Sequence, residues 1–91
     1  MATQFLRFLD GTNVVYSDVY ERNGENHVLV KFERWNDKQQ NFDRMECELP
    51  NGDMIKVIGF REDEVQYHHG KMIKLQDDIL AWALEDKKKG A

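Results

Sequence analysis

The spacing of apolar residues changes once along this chain, close to Phe60, and that change constrains the fold more than any other feature. Before it, apolar and polar residues alternate: Val28, Val30 and Phe32 fall on one side of a strand, and His27, Leu29, Lys31 and Glu33 on the other. Met45, Cys47 and Leu49 alternate in the same way with Arg44, Glu46 and Glu48. After it, Val65, His68, Met72, Leu75, Ile79 and Trp82 recur at intervals of three and four, the period of a helix. A run of strands followed by a helical segment defines an α+β fold, an antiparallel meander with its C-terminal helix or helices packed on one face.

Three dipeptides divide the first part of the chain: Asp10-Gly11, Asn23-Gly24 and Asn51-Gly52. Each supplies residues that tolerate positive φ between β-rich runs, the chemistry of a hairpin turn. They predict five strands, at 4–9, 13–21, 26–35, 42–49 and 54–60, with the sheet over about 4–60 and the helical segment over about 62–88. At Asn51-Gly52, a three-residue loop over 51–53 would place Leu49 opposite Ile55, Glu48 opposite Lys56 and Cys47 opposite Val57. The last strand is apolar on both faces, with Met54, Ile58 and Phe60 against Ile55 and Val57, and is therefore expected at the sheet centre or covered on both sides. The polar stretch 36–41 is expected to be the most mobile loop. Gly70 could end a short helix, kink a long one or turn a hairpin; the favoured reading is a break there, with a second helix to about Lys88. Lys87, Lys88 and Lys89 suit a helix C-terminus, with Gly90 just beyond it.

At 91 residues and 41% hydrophobic content the chain has material for one core, so a single domain spans 1–91. The net charge of −4 and the pI near 5.3 disfavour a phosphate backbone or an anionic membrane as partner. Cys47 has no second cysteine to pair with, which points to a reducing compartment. The first nine residues lack the apolar run of an export signal, and no stretch approaches a membrane span, so a cytoplasmic location is expected. Nucleotide-binding, nucleophile-elbow and zinc-protease motifs are all missing from the sequence, and no cofactor is implied.

Two features bear on function. From Met72 to Leu84 the apolar positions of the helix sweep an arc of roughly 200°, wider than the ~100° stripe that one sheet face covers. A curved sheet could enclose it, or a second surface could. The second reading makes Ile73, Leu80, Trp82 and Leu84 an interface, with a homodimer or another protein as partner, and the chain a small non-enzymatic interaction or regulatory module, in one version an acidic partner that masks a basic protein. The alternative is chemical. His27 and Glu33 share the mixed face of one strand, near Glu21 and Arg22, and His, Glu and Arg on an open sheet face are the groups of a small hydrolase or nuclease. Glu64 and His68, four apart on one helix face, have a metal-ligand spacing, although His69 points about 100° away and further ligands would have to come from elsewhere. In both cases the plainer reading is a solvated or structural surface. Cys47 is expected to be a buried structural thiol, and Trp35 with Phe42 to anchor the hairpin they flank.

Overall fold

The computed structural model describes residues 3–89 and has the expected α+β architecture. Among the described residues six strands, β1 (Thr3–Arg7), β2 (Asn13–Tyr16), β3 (Tyr20–Arg22), β4 (Glu25–Asn36), β5 (Asn41–Leu49) and β6 (Asp53–Ile58), precede one helix, α1 (Glu62–Lys89). The sheet is antiparallel in the order β1-β2-β4-β5-β6, and β3 pairs with the start of β4 beyond the end of β2. Twenty-eight helical residues span about 42 Å, which matches the 41 Å long axis of the molecule.

Strand parity sets the core. Val28, Val30 and Phe32 of β4 meet Leu49, Cys47 and Met45 of β5 across the ladder, and all six are fully buried. Val14 and Tyr16 extend this layer through β2, and Met72, Ile79 and Ala83 of α1 close over it. The Tyr16 hydroxyl donates to Asp86 Oδ2 at 2.5 Å, tying the last turns of α1 to the sheet. Asn23-Gly24 forms the expected two-residue turn, with φ of 54° and 79°, the paired positive values that fit the twist of a hairpin.

Four expectations need correction. The second strand is two strands, because β2 leaves the sheet after Tyr16 and Ser17 takes over the pairing: its Oγ accepts from Leu29 N at 2.9 Å, and its own N–H donates to Leu29 O. The turn before β6 is Pro50 to Gly52, which pairs Cys47 with Met54 rather than with Val57. Pro50 has no N–H for the ladder and is confined to the loop; a bulge at Ile55 then returns Val57 to the core side, opposite Met45. The charge pair forms between Glu46 and Lys56 instead of Glu48 and Lys56.

α1 is unbroken through Gly70, so the favoured break is absent. Gly70 is exposed with nothing near it, and a helix anchored by buried residues on both sides absorbs the ~1 kcal/mol that a glycine costs. Finally, β6 stands at the edge of the sheet and not at its centre, with Ile55, Val57 and Ile58 exposed at 56%, 43% and 53%. Gly90 lies outside the described residues. No helix among the described residues is long and apolar enough to cross a membrane.

Candidate functional site

Position 34 continues the inward parity of Val28, Val30 and Phe32, so β4 carries an arginine onto the core face beside the start of α1. Arg34 donates to Asp43 Oδ2 through Nε and Nη2 at 3.1 and 2.9 Å, and to Glu64 Oε2 through Nη1 at 2.5 Å. Asp10 lies 3.4 Å away, and the guanidinium carbon is 4.4 Å from the centre of the Phe60 ring. Glu64 also accepts from the Arg61 N–H at 3.0 Å, closing the first turn of α1 as a capping box does. The hydrogen bond from Arg34 holds its carboxyl below the usual range despite burial. Burial pushes Asp10 upward, but hydrogen bonds from Thr12 and Arg34 outweigh it and leave its pKa lowered.

The proposed metal pair is therefore separated by role. Glu64 serves Arg34 and the helix start, while His68 is 4% exposed among the rings of Phe8, Phe32, Phe60 and Tyr67, at centroid distances of 4.7 to 5.9 Å. His69 is turned to the opposite flank, its Nε2 2.8 Å from Gly52 O. Among the described residues no group of three or more His, Cys, Asp or Glu is placed to hold a metal ion.

Burial lowers the pKa of His68, so the folded state takes up its proton less readily than the unfolded chain. The stability this represents is present above the unfolded value of ~6.5 and is lost as pH falls through the folded one. Glu64, Asp10 and Glu48 add the same sign of dependence below about pH 4.5. Urea midpoints measured from pH 7.5 to 5 should therefore decline before any carboxylate titrates. His68→Phe, of similar volume and without an orphan nitrogen, should remain within about 1 kcal/mol of the parent at pH 7 and lose that early decline. A variant that kept it would assign the proton uptake to another group.

His27 and Glu33 are not brought together: six residues apart on one strand, they are separated by about 20 Å. His27 instead faces Glu48 on the outer side of the sheet, with Nδ1 3.9 Å from Glu48 Oε1 and Nε2 3.8 Å from Glu25. Its ring stacks on Tyr20, whose hydroxyl donates to Glu48 Oε2; Arg22 and Asn51 hold Glu48 Oε1. Glu48 and His27 are each 3% exposed, while Arg22 and Glu25 at the rim of the cluster are 51% and 69% exposed. The Tyr20 hydrogen bond keeps the Glu48 carboxyl below its usual range, and burial with that same bond pushes Tyr20 up to about 12. The arrangement locks the β3–β4 hairpin onto β5.

The helix residues singled out as an interface occupy both flanks of α1. Ile73, Leu80 and Leu84 are half-buried, and Ile73 Cδ1 lies against the β5–β6 turn at Gly52. Trp82, 42% exposed, packs at 5.8 Å on Phe5 of β1. Larger exposure lies elsewhere. On the outer face Trp35 and Phe42 form a cross-strand edge-to-face pair at 5.2 Å, 49% and 40% exposed. Phe42 and Ile58 line one shallow depression. With Ile55 this joins the β4–β5 hairpin to the free edge of β6, where Val57 is exposed on the opposite, core-side face, and the doubly apolar pattern of that strand was its sequence signal. Burial raises the Cys47 thiol to about 11, with Asp53 and Glu48 adding to the effect, as suits an inert core residue.

Compared with family models, curated proteins and solved structures, the chain matches none of them.

Proposed function

We propose that this chain is a non-enzymatic interaction module that self-associates through the edge of β6. The observation that carries the reading is the exposure of Ile55, Val57 and Ile58 on an unpaired edge. Edge strands usually carry charges, bulges, proline or a cover against unwanted pairing; β6 has Asp53, Lys56 and the bulge at Ile55, and still leaves three aliphatic side chains bare. A second copy suits the edge because antiparallel pairing about a two-fold axis presents one patch to itself. Asp53 and Lys56 cancel, so the strand is locally neutral within a chain of net charge −4. A six-residue edge is about 20 Å long. Reaching the roughly 800 Å² per partner of a stable interface requires flanking side chains, which Trp35 and Phe42 supply on the outer face and Ile73, Leu80 and Leu84 on the helix flank.

Sedimentation velocity on the full chain tests this. The parent should be a dimer at about 100 μM, and Ile55→Lys or Ile58→Lys should give a monomer with an unchanged far-ultraviolet spectrum. Leu80→Glu measures how far the helix flank contributes. A parent chain that stays monomeric up to about 500 μM would remove the self-association reading.

A further inference from the structure

A cleft of about 400 Å³ opens between the β1–β2 turn and the first half of α1, on the side of the molecule away from β6. Its size is within the range of small-molecule sites. Phe8 and Tyr67 form its aromatic walls, 6.0 Å apart between centroids and edge to face. His68 also lines it, nine-tenths buried, with an Nδ1 that has no hydrogen-bond partner. Every charged side chain lining the cleft is a carboxylate: Asp10, Asp63 and Glu64. Glu64 is occupied by Arg34, but Asp10 and Asp63 are 47% and 72% exposed and hold only part of their acceptor capacity in ion pairs with Arg34 and Arg61. Leu9, fully exposed at the tip of the turn, lines the same cleft.

We propose that this cleft binds a small organic cation of the aryl-alkylamine class, with its ring packed against the joined surface of Phe8 and Tyr67 and its ammonium at Asp10 and Asp63. Aromatic walls beside carboxylates favour a cation on an apolar body over a neutral or anionic ligand. The rings already show this chemistry: Lys71 Nζ lies 5.4 Å from the centre of Phe8 and 5.2 Å from that of Tyr67, and its side chain does not line the cleft. The hydrogen bonds and charges around Asp10 and Asp63 lower both pKa values, so the acidic rim stays ionised through neutral pH.

The test is a titration of the ¹⁵N-labelled chain with phenethylamine at pH 7, followed by amide shifts, with 2-phenylethanol as the neutral analogue and N-acetyl-lysine amide as a protein-like amine. Saturable shifts confined to Leu9, Asp10 and the 63–68 segment are expected, with the alcohol at least about fivefold weaker. Asp63→Asn, at an exposed position that leaves the fold intact, should weaken phenethylamine by about threefold and leave the alcohol unchanged. Equal binding of amine and alcohol, or no saturable shift up to about 20 mM, overturns the proposal. Tighter binding of the lysine amide than of phenethylamine also overturns it, by assigning the cleft to a protein side chain.

Discussion

Arg34→Ala is expected to cost this domain about 3 kcal/mol of stability, roughly a fifth or more of what a chain of this size possesses. The reason is less the loss of the guanidinium than what it leaves behind. Asp43 and Glu64, 8% and 18% exposed, would face each other's charge with no cation between them, and Asp10 would keep its hydrogen bond from the Thr12 N–H but lose its ion pair. The fork of Arg34 serves two carboxylates at once and stacks on Phe60, so Arg34→Lys keeps the charge but should recover only part of the loss. Thermal unfolding at pH 7 should show a fall of roughly 12 °C or more for the alanine variant. Below about pH 4 the deficit should shrink, because the orphaned carboxyls of the variant take up protons more readily than the paired ones of the parent. An alanine variant within 1 kcal/mol of the parent at pH 7 would mean that water already carries the network.

Gly59→Ala should be almost as damaging, by a route that passes through the same arginine. Gly59 links β6 to α1 at φ +85°, a conformation that costs an L-residue about 1–2 kcal/mol. The added methyl would also lie 2.5 Å from Asp43 Cγ and 3.0 Å from Asp43 Cβ. Asp43 cannot swing aside cheaply, since Arg34 and Asn36 hold its two oxygens. The total loss is expected to be about 3 kcal/mol, of which only the backbone part should remain when Asp43 is itself alanine. Denaturant unfolding of the four proteins in that cycle gives the coupling directly. Additive effects would show that Gly59 acts through its backbone alone and that the collision is relieved at no cost.

Both predictions depend on a cluster that sequence parity places but does not reveal. Continuing the alternation of Val28, Val30 and Phe32 by two residues puts Arg34 on the inner face, so the position was legible. Its partners were not, because Asp43 arrives from the next strand and Glu64 from the helix. Glu64 and His68 illustrate the converse. Their four-residue spacing is real, yet one closes the helix start and the other sits among aromatic rings, a separation decided by what the sheet offers each. His27 was legible as a polar group on the outer face, but its neighbour is Glu48 and not Glu33, because strands bring together residues across the ladder and not along it.

Local chemistry by itself determined the class of fold, the meander order, the turn at Asn23-Gly24, the faces of β4 and β5 that enter the core and the phase of α1. These depend on the two-residue and 3.6-residue periods and on backbone preferences that operate over a few residues. The edge position of β6, the splitting of the second strand, the continuity of α1 through Gly70 and the assembly of both charged clusters were decided only in three dimensions. Each depends on contacts between residues far apart in the chain, and a local pattern records that a side chain needs covering without recording what covers it.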